Sequence, residues 1–305
     1  MPARFSGHET FACRYAWLPK ALQAIKSNPR IFASEDQAMV ELGVGKNMVR
    51  SIRFWIEATG MATPSSDGSL CPTWLGDLLF RGRRLDPYME DIQTLWLIHW
   101  NLCTHVENPL FAWEFLFSRW QEPEFTEANV LKALSREAEN QSKKLSHVTL
   151  QQHLQVFLHT YVPTGGRKAD IAEDNLDCPL TELEMLVRVG DREDTGASRG
   201  GRDPIYVFRR EEKPSISQAL FSYCVHDFWR KAFPNEQTLS ARSLVTAPRS
   251  PGQVFKIPEE AIYARLEDLH AITHGTLRYS ESAMLRQVQR TGIVNPEKLL
   301  TNAYH

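Results

Sequence analysis

The sequence lacks several features that would place it in other classes of protein. Its longest apolar runs, such as Leu95-Trp96-Leu97-Ile98, are far shorter than the ~20 residues that a membrane-spanning helix needs. No apolar signal segment follows Arg4 at the N-terminus. The five cysteines never form a C-x-x-C pair, which argues against a disulfide framework and a zinc ribbon. These absences predict a cytoplasmic protein that does not enter the membrane, with most cysteines as small buried apolar residues.

Charge is unevenly distributed along the chain, although the formal net charge is only −2. Residues 1–85 carry 11 Lys and Arg against 7 Asp and Glu, whereas residues 86–141 carry 3 against 10. A basic end followed by an acidic block indicates that only one end meets a polyanion. We therefore predict that the acidic block from Asp86 to Glu139 faces protein rather than DNA.

The clearest local signal lies between residues 34 and 70. Ser34-Glu35-Asp36-Gln37 is a capping box, and Gly43 stands where a left-handed residue ends a helix. A second helix is expected from about Lys46 to Ala58. Its apolar stripe comprises Val44, Met48, Ile52, Trp55 and Ile56. The stretch Met61–Leu70 then fits a hairpin, so the order of elements is that of a winged helix-turn-helix.

Polar residues on and after the second helix are of the types that contact DNA. Arginine can bind guanine with two hydrogen bonds and asparagine can do the same for adenine, while lysine suits a phosphate. The candidate DNA-binding residues are Lys46, Asn47, Arg50, Arg53, Arg81, Arg83 and Arg84. The alternative is an ordinary helical pair with a solvated basic face.

The length of the chain predicts several domains, since 305 residues exceed one comfortable hydrophobic core. We predict a mainly α fold with a few short strands. The domains are an N-terminal winged helix-turn-helix over 1–85, a helical middle domain over 86–162, and a loop-rich and helical C-terminal domain over 163–305. Two capped helices, Thr126–Gln141 and Ser146–Tyr161, raise the alternative of a second helix-turn-helix-like unit. His99, among aromatic residues, is expected to be a satisfied core histidine.

Two segments resemble a known bacterial family. The stretch Leu42–Trp55 and the opening Phe5–Phe11, with its Phe-Ser-Gly-His-Glu sequence, are similar to motifs of the SspB family, long labelled as of unknown function. The resemblance spans most of the chain. It implies a component of the Ssp system, an anti-phage defence that replaces a phosphate oxygen with sulfur on one DNA strand. The implied partners are double-stranded DNA, a cysteine desulfurase, an ATPase and a reductase-like sulfurtransferase, and the implied role is DNA binding with nicking.

No active site stands out in the sequence. A P-loop is absent, and no Cys-His, Ser-His-Asp or His-rich metal spacing is present. Phosphodiester cleavage usually needs a carboxylate-bound magnesium ion. The candidate ligands are Glu173, Asp174 and Asp177, with Asp170 three residues upstream; His8 and Glu9 are the candidate catalytic pair. An acidic turn without function is the alternative for the first group.

Three functions therefore remain open after the sequence alone. The first is a magnesium-dependent DNA nickase, an endonuclease that supports sulfur incorporation. The second is a non-catalytic DNA-binding adaptor that positions the sulfurtransferase machinery. The third is a transcription regulator, although the chain shows no recognisable domain for sensing a small molecule.

Overall fold

The computed structural model describes residues 4–81, 85–141, 145–163, 178–194, 201–282 and 284–304. Within these ranges the fold is mainly helical with three small antiparallel sheets, which confirms the mainly α prediction. Helices in the described ranges are too short or too polar to cross a membrane.

The elements of the described residues follow in chain order. The helices are α1 (Trp17–Ser27), α2 (Glu35–Leu42), α3 (Lys46–Ala58), α4 (Trp74–Gly76), α5 (Ile92–Thr104), α6 (Phe111–Glu114), α7 (Glu127–Asn140), α8 (His147–Tyr161), α9 (Gln218–Ala232), α10 (Ala241–Thr246), α11 (Pro251–Phe255), α12 (Glu259–Glu267), α13 (Leu269–Ile272) and α14 (Pro296–Ala303). The strands are β1 (Ala62–Pro64), β2 (Leu70–Pro72), β3 (Glu124–Thr126), β4 (Leu186–Asp194), β5 (Gly201–Phe208), β6 (Thr238–Ser240), β7 (Leu277–Glu281) and β8 (Arg286–Arg290). Shorter 3-10 or π-helical turns span Ile31–Ala33, Asp77–Arg81, Phe115–Arg119 and Pro179–Leu183.

The chain folds into two compact units, each built from separated stretches of sequence. The first unit comprises residues 1–89, 110–112 and 121–209, and the second comprises 90–109, 113–120 and 210–305. The three-domain division at residues 85 and 162 stays a prediction.

Local signals set the ends of the first helices, as the sequence predicts. The Ser34 hydroxyl accepts a hydrogen bond from the Gln37 N–H at 3.4 Å, and Gly43 ends α2 with a φ of 59°. Helix α3 has the predicted bounds, but its buried face is wider than the predicted stripe. Val49 is buried and Met48 only half-buried, because α3 packs against α1, α2 and β1 rather than one neighbour.

The second part of the first unit is a sheet covered by helices. Strand β3 leads into α7 and α8, and the chain returns through β4 and β5, so that the antiparallel sheet has the order β3-β5-β4. Side chains of Thr126 and Ser146 cap α7 and α8, and both helices lie where the sequence predicts them. Phe125 on β3 stacks on its register partner Tyr206 on the central strand β5, which joins these two strands in one core.

The second unit repeats this order of elements. Helix α9 leads into β6, the chain passes through α10, α11 and α12, and it returns through β7 and β8 in a sheet of order β6-β8-β7. Pro258, in extended conformation, directly precedes α12.

Helix α5 buries several aromatic rings in the second unit. Its Trp96, His99 and Trp100 are at most 1% exposed. His99 donates a hydrogen bond from Nε2 to the Val254 carbonyl at 2.9 Å, and burial lowers the pKa of His99 to about 3. It is therefore a neutral core histidine, as expected from its aromatic surroundings.

Candidate nucleic-acid interface

The exposed side of α3 forms the candidate interface. Lys46, Asn47 and Arg50 are exposed at the N-terminal end of this helix, while Arg53 is half-buried one turn further on. Gly45, in extended conformation, starts the helix directly after the left-handed Gly43, so the turn is short and α3 begins with its polar side outward. Three of the predicted DNA-binding residues thus share one exposed surface.

Glu35, at the start of α2, binds two of these cations. One of its oxygens lies 2.7 Å from Arg50 Nε and the other 2.7 Å from Lys46 Nζ. Hydrogen bonds from Arg50 and Lys46 lower the pKa of the Glu35 carboxyl below its ordinary value. We call these three residues the α2–α3 triad. Its formal charge is +1, because one carboxylate offsets one of two cations.

A second carboxylate, Glu57, organises the following turn of α3. Its side chain lies 3.2 Å from Arg53 Nε and 3.9 Å from an Arg4 guanidinium nitrogen. Arg4 also sits over the Phe54 ring, 4.4 Å from its centroid. Arg53 therefore has an acidic partner one helical turn away, and much of its charge is offset within the fold.

The hairpin of β1 and β2 follows α3 directly. Its register pairs Ala62 with Pro72 and Pro64 with Leu70, and Gly68 takes a φ of 82° in the connecting turn. At its tip, Asp67 accepts hydrogen bonds from Ser69 and from Arg30, which together lower the pKa of the Asp67 carboxyl. The hairpin tip thus adds no net positive charge to the surface of α3.

The basic stretch after the hairpin is only partly described. Arg81 ends the π-helical turn that follows α4, and its guanidinium lies 3.3 Å from Asp77. Arg83 and Arg84 lie outside the described residues.

Of the candidate catalytic pair, His8 is buried and Glu9 is half-buried. His8 is 2% exposed, and its Nε2 lies 3.0 Å from Nδ1 of His153 on α8. The Ala112 N–H donates to Nε2 of His153 at 3.0 Å, and Nδ1 of His8 lies 2.8 Å from the Glu9 carbonyl. The amide can only donate and the carbonyl can only accept. Each hydrogen bond in this series is therefore donated in the same direction, from the Ala112 amide through His153 and His8 to the Glu9 carbonyl.

The direction of these hydrogen bonds fixes both histidines as neutral. Burial lowers the pKa of His8 and lowers that of His153 well below its ordinary value. Both ring nitrogens of each histidine are used, and the rings stack with centroids 5.3 Å apart. Residue 9 takes a φ of 53°, which suits a turn rather than an extended segment. The geometry gives His8 a structural role, one that joins the N-terminal segment to α8; no sequence signal pairs residues so far apart.

The candidate metal ligands Glu173, Asp174 and Asp177, and their neighbour Asp170, lie outside the described residues. Elsewhere in the described ranges, His, Cys, Asp and Glu side chains do not gather in groups of three that would hold a metal ion. The described part of the chain therefore contains no group of side chains arranged to bind magnesium.

Comparison with known proteins gives two results. The family described as "Protein of unknown function (DUF4007)" matches residues 5–304 of this chain. Among solved structures, a magnesium-ion-bound SspB crystal structure and a further SspB crystal structure are similar to it, each with 28% sequence identity and a TM-score of 0.84. Both similarities cover 99% of this chain, and they cover 90% and 88% of the respective SspB chains. Curated proteins give no match. The resemblance to the SspB family is thus confirmed.

Proposed function

This chain belongs to the family described as "Protein of unknown function (DUF4007)", and from that membership and its similarity to SspB we propose that it is the DNA-binding component of a DNA phosphorothioation system. In such a system a sulfur atom replaces a phosphate oxygen on one strand of double-stranded DNA, as a defence against phage. The partners would be a cysteine desulfurase, an ATPase and a reductase-like sulfurtransferase.

The observation that carries DNA binding is the chemistry at the start of α3. A capped helix, a short glycine turn, a second helix and an antiparallel hairpin follow one another, as in a winged helix-turn-helix. In that arrangement the N-terminal half of the second helix enters the major groove. Lys46, Asn47 and Arg50 occupy that half and are exposed, so a phosphate contact and contacts to base edges can form together.

The recurrence of this order supports the proposal. Strands β3, β4 and β5 with helices α7 and α8, and strands β6, β7 and β8 with helices α10 to α12, have the same antiparallel strand order, with the first and last strands adjacent. Two or more helices followed by a hairpin thus occur three times among the described residues, with α10 to α13 before the last hairpin. We propose that all three are motifs of the winged-helix type.

The exposed helix faces of the three winged-helix-type motifs differ in charge, which distinguishes their roles. Helix α8 presents uncharged Gln151 and Gln152, whereas α12 presents Glu259, Glu260 and Glu267. An acidic face repels a phosphate backbone, so α12 is not a DNA-contacting helix. The cationic α3 is the principal contact, and the amides of α8 suit adenine.

A pair of matched double variants tests the assignment of α3. In Lys46→Ala with Arg50→Ala, duplex affinity should fall by at least about tenfold, and the log–log salt slope should fall by about two, since two cations are lost from the surface that meets DNA. The control is Lys132→Ala with Arg136→Ala, which removes the same residue types at the same spacing from the exposed side of α7. Equal binding by both double variants, measured by fluorescence anisotropy across a salt titration, would refute the role of α3.

Strand nicking is the further step in this proposal, and it rests on the acidic segment from Asp170 to Asp177. Carboxylates are the ligands that magnesium prefers, and a bound ion would stabilise the charge that builds up on the phosphate during cleavage. In a supercoiled-plasmid assay, Glu173→Gln with Asp174→Asn should abolish magnesium-dependent nicking while leaving duplex binding intact. Nicking at the wild-type rate by this variant would place the site elsewhere.

A non-catalytic adaptor is the second candidate, and the position of His8 favours it. Its two ring nitrogens are both occupied within a buried chain of hydrogen bonds, so this histidine is not available as a general base. The same plasmid assay separates the candidates, because an adaptor binds the plasmid but leaves it supercoiled with magnesium as with EDTA.

A further inference from the structure

The second unit contains a cavity that plays no part in the proposed DNA contact. Its volume is about 330 Å³. It lies between the end of α5, the end of α9 and the segment that joins α10 to α11. The lining residues are Thr104, Val106, Glu114, Phe228, Lys231, Ala232, Pro248 and Arg249. Such a volume is at the lower end of those that hold small organic ligands.

One side of the cavity holds a fixed ammonium group. Lys231 Nζ lies 2.6 Å from the buried carboxylate of Asp227 and 3.2 Å from the Thr104 hydroxyl. Asp227 also accepts hydrogen bonds from Trp100 and Arg230, each at 2.9 Å. Burial raises the pKa of Asp227, but Lys231 and the hydrogen bonds outweigh this and lower it. Two cations therefore face one carboxylate, which leaves positive charge on this side.

The other side of the cavity holds a guanidinium group that is only partly satisfied. Glu114 is matched by Arg119, whose Nη2 and Nε lie 3.0 and 3.1 Å from one carboxylate oxygen. Arg249 approaches the second oxygen only to 3.7 Å. Its Nε is buried without a hydrogen-bond partner among the described residues. A buried donor left in this way is costly, so the interactions of Arg249 within the protein are incomplete.

The backbone at Arg249 is held in an unfavourable conformation. Its φ is 65°, in the left-handed region that a residue with a Cβ rarely adopts, and its N–H donates to the Ser118 hydroxyl at 3.2 Å. Backbone strain of this kind concentrates at ligand sites, where the surrounding structure enforces it. The same residue lines the cavity.

The charges around the cavity sum to a positive value. Four cations (Arg119, Arg230, Lys231 and Arg249) oppose two carboxylates (Asp227 and Glu114), a formal balance of +2. Apart from Thr104, the uncharged part of the lining is apolar, with Val106, Phe228, Ala232 and Pro248. A ligand that complements both features has a doubly charged phosphate and a flat or apolar body.

We propose that this cavity binds the phosphate monoester of a nucleoside, with the phosphate between Lys231 and Arg249 and the base against Phe228. Arginine and lysine are the usual ligands of such a phosphate, and Arg249 makes only a long contact, 3.7 Å, with its acidic neighbour Glu114. The phosphate monoester can come from a free nucleotide or from the 5′ end of a DNA strand, and both have the same chemistry.

Isothermal titration of the full-length protein tests the proposal with four probes: deoxyadenosine 5′-monophosphate, deoxyadenosine, inorganic phosphate, and a single-stranded oligonucleotide with and without a 5′-phosphate. The monophosphate should bind at least about tenfold more tightly than the nucleoside and than inorganic phosphate. Arg249→Gln should weaken that binding at least about tenfold, and Arg249→Lys should restore part of it. The matched control is Arg242→Gln, an exposed arginine on α10 that does not line this cavity.

Two results would overturn the proposal: equal affinity for the nucleoside and its monophosphate, or unchanged binding in Arg249→Gln. The preference between the free nucleotide and the phosphorylated strand identifies the source of the phosphate monoester. Folding of each variant is checked by thermal unfolding, and Arg249→Lys provides a second variant should the glutamine destabilise the unit. Because α3 takes no part in this test, its failure would leave the proposed duplex binding untouched.

Discussion

Replacing Glu35 by glutamine should strengthen DNA binding, because this carboxylate occupies two cations of the candidate interface. The substitution keeps the size of the side chain but raises the formal charge of the α2–α3 triad from +1 to +2. Lys46 and Arg50, each 2.7 Å from Glu35 in the protein alone, would then be available to phosphates.

The size of the effect follows from the distance and the solvent. Deleting one negative charge that lies about 7 Å from a DNA phosphate, in water, should raise the affinity for DNA by about threefold. Screening by 0.1 M salt makes this increase somewhat smaller. One added effective charge also steepens the log–log salt slope by about 0.9. The stability of the fold should change little, since exposed ion pairs contribute little to it.

The control for this variant is Asp36→Asn, which makes the same change of charge one residue further along α2. Asp36 is exposed and acts on bound DNA only through its charge at a longer distance. Neutralising it should therefore raise DNA affinity less than neutralising Glu35. Fluorescence anisotropy with a labelled duplex, repeated between low and moderate salt, measures both quantities. If Glu35→Gln binds no more tightly than Asp36→Asn, the triad does not face DNA and the reasoning is wrong.

Two further predictions concern stability. Burial lowers the pKa of His99 to about 3, so the unfolded chain binds the proton first as the pH falls below the ordinary value of 6.5. The contribution of His99 should be constant above about pH 7 and fall by about 1 kcal/mol between about pH 6.5 and 5.5, which urea unfolding at several pH values would measure against His99→Gln. Gly76→Ala should lower the free energy of unfolding by about 1–3 kcal/mol, because its Cβ would collide with a backbone carbonyl oxygen. Gly45→Ala, whose Cβ has open space, is the control and should change the free energy far less.

Much of the helical framework is determined by the sequence alone. The starts of α2, α7 and α8 follow from side-chain caps and the end of α2 from Gly43, all of which act within a few residues. The exposure of Lys46, Asn47 and Arg50 also follows from helical periodicity, because polar residues opposite an apolar stripe stay in water. These features depend on short-range hydrogen bonds and on burial, which the order of residues specifies directly.

Tertiary structure decides what these residues meet. His8 is a candidate base in the sequence, but folding places it against His153, 145 residues away, and uses both of its nitrogens. Glu35 is a helix-capping acid in the sequence, yet the packing of α2 on α3 makes it the partner of two cations. The strand orders β3-β5-β4 and β6-β8-β7 likewise join distant segments. Each depends on which surfaces come together when apolar faces are buried, and that is a property of the whole fold rather than of any local stretch.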